Sequence, residues 1–307
     1  MCAELNSLFH QFITDNRPKA GSLIISLFGD VISQHGNNVW LGSVIECLTP
    51  FGQNSRQIRT AISRLVQEQW LESTQRGRRS YYGFTTVGLR RFERVANRIY
   101  AGQLPDWNRQ WVVVILTMVD AAYRDAFRRE LLWQGFGQVN AETFVHPSAD
   151  QAVLNEIIAD FNLGAQVIVM RASSHELTSK LAIQNLTYKA WKLAEVQNKF
   201  EQFCAYFEKV QSYVNNSNGI GSANSFRFRL LLVHEYRRLL LKTTALPRDL
   251  LPESWLGNQA LDIAAYLYRQ CEPGSVRYIA EAFESLNGSI APPATGYYSR
   301  FKAATAA

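Results

Sequence analysis

SRQIRTAISRLVQEQW, residues 55–70, decides how the first third of this chain is read. Ile58, Ala61, Ile62, Leu65 and Val66 recur at steps of three and one, which puts them on one stripe of a 3.6-residue helix. The opposite face carries Arg56, Gln57, Arg59, Thr60, Ser63, Arg64 and Gln67, and Ser55 at the helix start joins the candidate DNA contacts. Asn54 or Ser55 can cap the start, and Gln57, three residues after Asn54, supplies a weak form of the capping box. Beyond this helix the period falls from 3.6 to 2. Trp70–Thr74 and Ser80–Thr85 flank QRGRR and predict a hairpin whose tip is Arg76, Gly77, Arg78 and Arg79. Thr86 caps a further helix, with Leu89, Phe92, Val95, Ala96 and Ile99 facing inward and Arg90, Arg94 and Arg98 along another face. Upstream, Ser22–Ile32 and Trp40–Leu48 read as helices, the second stopped by Pro50 and Gly52. Three helices, a hairpin and a closing helix predict a winged helix-turn-helix DNA-binding domain over residues 1–100.

Charge points the same way. The chain has 307 residues and a formal charge of +6, spread unevenly. Residues 55–98 hold ten arginines and no lysine against Glu68, Glu72 and Glu93, a net of +7, while residues 105–307 are nearly neutral. Such a local field attracts a polyanion. An ordinary solvated helix face carries more Glu than the 55–70 helix does. A recognition helix needs this pattern: Arg and Gln can read guanine and adenine edges, and Ser and Thr suit phosphates. Arg76, Arg78 and Arg79 at the hairpin tip suit phosphate or minor-groove contact, with Tyr81 beside them to stack or hydrogen-bond. The Arg90, Arg94, Arg98 stripe reads equally well as a solvated basic face.

Downstream, Ala101–Asn108 combines Gly, Pro and polar residues as a linker does. A strand at Trp111–Met118, a helix at Tyr123–Gln134, short strands at Phe136–Val139 and Glu142–Val145, a helix at Asp150–Phe161 and a strand at Gln166–Arg171 give the order βαββαβ. That order predicts a ferredoxin-like middle domain, residues 101–175. From residue 176 to 307 only helices are apparent: Leu186–Val214, Phe226–Lys242 and Gln259–Arg269, with a short frayed tail from Lys302. The predicted class is therefore α+β multidomain, with a C-terminal helical domain; its near-neutral charge suits dimerisation and effector response better than DNA contact.

Several chemistries lack their signatures. The longest apolar run, Trp111–Val119, is about half of the ~18 residues a membrane span needs, so no membrane association is expected. The N-terminus has no secretory pattern, and Cys2, Cys47, Cys204 and Cys271 are too far apart for CxxC sites, so a reducing cytoplasm is expected. His10, His35, His146, His175 and His234 pair with no second ligand at metal spacing; no metal or cofactor is expected. There is no phosphate loop, GxGxxG or GxSxG, and the chain does not read as an enzyme. A metal-dependent nuclease would need Asp120, at the end of the first middle-domain strand, yet a lone carboxylate suits capping of the next helix better. Trp133, Arg171, Trp191, His234, Tyr236, Arg237 and Arg238 combine aromatic and basic groups suited to an acyl group on a phosphate-bearing carrier, although core and interface packing explains any one of the aromatics better.

Beyond these patterns, SLIISLFGD (22–30), VWLGSVIECLTPFG (39–52), RQIRTAISRLVQEQWL with RGRRSYYGFT (56–85), LLWQGFG (131–137), LLLVHEYRRLLLKTTALPRDLLPESWLGNQA (230–260) and PPATGYYSRF (292–301) resemble the PaaX family, repressors of bacterial phenylacetic acid degradation. The resemblance implies a cytoplasmic homodimer that binds an inverted-repeat operator on double-stranded DNA and is released by phenylacetyl-CoA. It places DNA contact on the helix at 55–69 and the wing at 75–80. An effector-independent DNA-binding protein is the bland alternative.

Overall fold

The computed structural model describes residues 2–101, 106–174, 179–217, 219–242 and 246–301. Half of the expected linker, at 102–105, His175 and the tail from Lys302 fall outside them. The chain divides into two compact units, one of residues 1–103, 202–238 and 257–307, the other of 104–201 and 239–256.

In the first unit α1 (Cys2–Asn16) and α2 (Ala20–Asp30) lead to β1 (Val39–Trp40), α3 (Leu41–Leu48) and α4 (Ser55–Gln67). Then come β2 (Leu71–Arg76), β3 (Arg79–Phe84) and α5 (Thr86–Ala101). The sheet order is β1–β3–β2, antiparallel, and the pair β2–β3 is the hairpin expected from the period of 2. Gly77, first of the two loop residues, has φ 61°, a conformation in which a Cβ is costly and a tight hairpin turn needs one. Ile58, Ile62 and Leu65 of α4 are buried, as their spacing predicts, against a core that includes Leu23, Leu27, Val44 and Leu48. The helix α1 was not legible as one, yet Leu5, Phe9 and Ile13 at steps of four are all buried.

The second unit contains β4 (Gln110–Leu116), α6 (Ala121–Trp133), β5 (Gly137–Gln138), β6 (Thr143–His146), α7 (Gln151–Asp160) and β7 (Val167–Ser173). Its sheet runs β5–β6–β4–β7 with every neighbour antiparallel, so each helix connects two strands that have a third between them. Asp120 accepts from the Ala122 N–H at 3.2 Å, capping α6. Phe127 and Leu131 of α6 and Leu154 and Ile157 of α7 bury one sheet face with Val114 and Phe144. On the other face Trp111 and Val145 pack with Leu250 and the Trp191 indole.

Two helical expectations change. Leu186–Val214 is not one helix: α8 (Lys180–Ala190) ends before α9 (Leu193–Asn215) begins, and Lys192 between them has φ 50°. The cause is Trp191, whose indole N–H donates to the Gly135 carbonyl at 2.9 Å and whose ring covers Gly137 so closely that a Cβ there would meet it at 2.6 Å. After α10 (Ser222–Lys242), α11 (Gly257–Ala282) runs well past Arg269 and through Pro273. Burial of Gly274, Ser275 and Ile279 beyond the proline keeps the helix going despite the lost N–H. A short hairpin, β8 (Glu284–Ser285) and β9 (Gly288–Ser289), also escaped the sequence reading.

The region expected as a separate C-terminal helical domain is thus shared out, with 202–238 and 257–301 joining the N-terminal third. The reason is a buried charge. Asp30, at the end of α2, accepts from Arg229 at 2.8 Å and Arg300 at 2.9 Å, and from the hydroxyls of Tyr100 at 2.7 Å and Tyr268 at 3.1 Å. Arg229 also donates to the hydroxyls of Tyr268 and Tyr297. Burial alone would raise the Asp30 pKa, but the two guanidinium groups overcome it and hold the carboxyl below its ordinary range. Stability from a depressed carboxyl is complete above its unfolded pKa of about 3.9 and is lost as pH falls through the folded value. Asp30→Asn leaves two buried cations without their anion and should cost ~3–5 kcal/mol of unfolding free energy. Denaturant titrations against pH should also find the variant flatter than the wild type below about pH 4.

Candidate nucleic-acid interface

The N-terminus of α4 is fixed by a complete capping box: Gln57 N–H donates to Asn54 Oδ1, and Asn54 N–H donates to Gln57 Oε1, both at 2.9 Å. Gln57 Oε1 is therefore held by the Asn54 N–H, in the capping role its spacing after Asn54 predicts. Ser55, Arg56, Arg59, Thr60, Ser63 and Arg64 are exposed on the remaining face. Arg59 Nε donates to Ser55 Oγ at 3.3 Å, and Arg64 pairs with Glu68 at 2.7 Å, so Arg56 keeps the less engaged head. Because Ile58, Ile62 and Leu65 anchor the helix from behind, this polar face has a defined orientation in its unit.

The hairpin β2–β3 presents Arg78 at its exposed tip. Its companions are occupied. Arg76 donates to the Leu286 carbonyl at 2.6 Å, and Arg79 forms an ion pair with Glu284 while lying 4.5 Å from the Trp40 ring centroid. Hydrogen bonding to Tyr81 and the charge of Glu284 raise the Arg79 pKa. Tyr81 is itself only 6% exposed, so its ring packs inside the unit, and of the two expected roles, stacking or hydrogen bonding beside the wing arginines, it takes the second, toward Arg79. The bracing hairpin is in turn held from the front: Glu284 N–H donates to Ser43 Oγ at 3.1 Å and Leu286 N–H to Asn38 Oδ1 at 2.8 Å. On α5, Arg90 is exposed, and the side chains of Arg94 and Arg98 lie outside the described residues. Arg91, passed over in the sequence, covers Trp70 at 5.5 Å and donates to the Glu68 carbonyl at 3.1 Å.

Three family models match successive segments: PaaX-like protein over residues 19–88, the PaaX protein central Cas2-like domain over 104–183 and the PaaX-like protein C-terminal domain over 191–281. The chain is 30% identical over 295 residues to the protein named Transcriptional repressor PaaX of Escherichia coli (strain K12), covering 95% of this chain and 93% of that one. The chain belongs to the PaaX family. Among solved structures it is similar to the uncharacterized protein Rv0674 from Mycobacterium tuberculosis, with 19% identity, a TM-score of 0.47, and coverage of 76% of this chain and 90% of that one.

Two stretches that carry the PaaX resemblance meet at one place in this member, where 22–30 supplies Asp30 and 292–301 supplies Tyr297 and Arg300, joined there by Arg229. The seven residues proposed for an effector are not gathered within either unit. Trp133, Arg171 and Trp191 belong to the second unit, where Trp133 is 82% exposed, Arg171 donates to Gln151 at 2.7 Å and Trp191 is part of the packing described above. His234, Tyr236, Arg237 and Arg238 belong to the first, on α10. His234 and Tyr236 are core: His234 Nδ1 meets Ser26 Oγ at 3.1 Å, and Tyr236 stacks near Phe203. Burial, then Arg237 and Arg238, push the His234 pKa down to about 3, so the ring is neutral at physiological pH. Arg238 pairs with Glu235 at 2.9 Å, whereas Arg237 is buried among hydroxyls. Cys47, Cys204 and Cys271 are buried free thiols. Among the described residues no helix is long and apolar enough to cross a membrane, and no group of three or more His, Cys, Asp or Glu is placed to hold a metal.

The capping box gives a direct measurement. Asn54→Ala removes its acceptor and should lower unfolding free energy by ~1 kcal/mol in denaturant titrations, with Asn54→Ser restoring most of it.

Proposed function

We propose that this PaaX-family chain is a ligand-responsive repressor that reads double-stranded operator DNA. The observation that carries this reading is the exposed Arg56, Arg59, Thr60, Ser63 and Arg64 face of α4, held by a buried apolar stripe and a full capping box, in a relative of a protein named as a transcriptional repressor. In this reading α2, α3 and α4 with the β2–β3 hairpin form a winged helix-turn-helix, α4 enters the major groove and Arg78 meets phosphate at the wing. The four-stranded sheet of the second unit, in the order β5–β6–β4–β7, is read as ferredoxin-like. Residues 1–100 serve DNA contact, and the helices of 176–307, shared between the two units, serve dimerisation and effector response. A cytoplasmic homodimer would match an inverted repeat by setting two α4 helices about 34–36 Å apart, or a multiple of it. Phenylacetyl-CoA is the proposed effector, and it can release DNA only by binding the DNA-free form more tightly.

A gel shift with the promoter region beside the gene, in the presence of phenylacetyl-CoA, phenylacetate or free CoA, tests this directly. A shifted band lost only with phenylacetyl-CoA is expected. No shift would reject DNA recognition, and a band indifferent to every compound would favour an effector-independent DNA-binding protein. Cleavage dependent on Mg²⁺ and lost in Asp120→Asn would favour a nuclease instead. Arg59→Ala should lose ~1–3 kcal/mol and relax sequence preference if it reads a base. Arg78→Ala should weaken all sequences alike and reduce the magnitude of the salt slope by ~0.9.

A further inference from the structure

The side of α4 that carries Arg56 and Arg64 also walls a cleft. Together with the connection between α1 and α2 it encloses about 1100 Å³, wholly within the first unit. Arg17, Lys19, Arg56 and Arg64 stand around it, all exposed. Glu68 is the acidic group among the lining residues, and it is already paired with Arg64. Ile25, Phe51 and Leu65 give the cleft an apolar wall.

Arg237 reaches the cleft from α10 and is 6% exposed. Its Nε donates to Ser26 Oγ at 3.1 Å, and its Nη2 donates to the Ser22 carbonyl and hydroxyl, both at 2.9 Å. These partners are neutral. Among the described residues no carboxylate lies within ion-pair distance of Arg237, in contrast to Arg229 and Arg300, which share Asp30. Burial lowers the Arg237 pKa to about 10, so the group stays a cation at physiological pH. A buried cation without an anion is costly unless something supplies the missing charge. Five basic groups around a half-apolar cleft, one of them buried and lacking a counter-charge, specify a ligand with several negative charges and an apolar part.

We propose that this cleft binds an organic polyphosphate that carries an apolar group, with phosphate on Arg237 and the surrounding cations and the apolar group against Ile25 and Phe51. The inference rests on the repressor reading and gives its release step a location. A ligand here occupies Arg56 and Arg64, which α4 would offer to DNA, so ligand and operator compete for the same cations. Coupling of this kind is reciprocal: operator must weaken ligand binding by the factor that ligand weakens operator binding.

The test uses the full chain and the double variant Arg17→Ala, Lys19→Ala, which alters two exposed cleft residues outside the proposed DNA-contact set. Phenylacetyl-CoA, free CoA, ATP and phenylacetate are titrated by calorimetry, with and without operator. Phenylacetyl-CoA should bind more tightly than free CoA or ATP, and phenylacetate should not register. The double variant should bind it about tenfold more weakly, the loss of roughly one charge-assisted contact, while keeping operator affinity within about threefold. Wild-type ligand affinity in the variant, or a ternary complex in which neither partner weakens the other, would overturn the site. ATP binding as tightly as phenylacetyl-CoA would overturn the apolar requirement. If phenylacetyl-CoA releases wild type and variant at equal concentrations, the site is wrong and the repressor reading stands; if neither protein binds operator while both bind phenylacetyl-CoA, the repressor reading fails.

Discussion

A single carboxylate, that of Asp30, organises the unit that contains α4. It is fully buried, which makes an unpaired charge prohibitive, and it is tolerated because two guanidinium groups and two phenols reach it together. The partners come from α5, α10, α11 and the segment after β9, so the end of the chain has to return to its beginning. Two cations against one anion leave a positive excess. Ring faces absorb part of it: Arg229 lies 4.4 Å from the Tyr268 ring and 4.6 Å from that of Tyr297, and Arg300 lies 4.2 Å from that of Tyr100. The Arg300 guanidinium donates as well to the backbone carbonyls of Asp30 and Gly29.

What the sequence made legible is what short-range periodicity controls. The burial of α4, the β2–β3 hairpin, the capping role of Asp120 and the succession of strands and helices along the middle segment all follow from residues within a few positions of one another. Long-range partners left no such trace. Nothing near Arg79 announces Glu284, about two hundred residues later, and nothing near Asp30 announces Arg300. Gln57 shows the limit at close range: the same amide suits a base edge and a capping box, and only the observed hydrogen bonds decide between them. Trp191 shows it for helices, since the pattern around it is helical and a tertiary contact to Gly135 and Gly137 ends the helix there.

The candidate site was legible on the same terms. Its basic face could be found by counting charge and turns, because exposure on one side of a helix follows from burial on the other. The seven aromatic and basic residues grouped for an effector had only composition to connect them, and they fall in two units. Arg237 was in that group for its type; its distinction, a buried cation among hydroxyls, depends on Ser22 and Ser26 of α2.

The contact between Glu284 and Arg79 has an energetic consequence for the wing. Arg79 already carries a protein-supplied counterion, so any phosphate it meets must displace a carboxylate held by the C-terminal hairpin instead of a mobile ion from solution. Exchange of one anion for another gains less free energy than pairing a guanidinium that has no carboxylate beside it. Of the three wing arginines, Arg79 is then the one whose charge is already matched, whereas Arg76, tied to a neutral carbonyl, and Arg78 keep theirs; the net +7 counted along residues 55–98 overstates by the Glu284 charge what this surface offers.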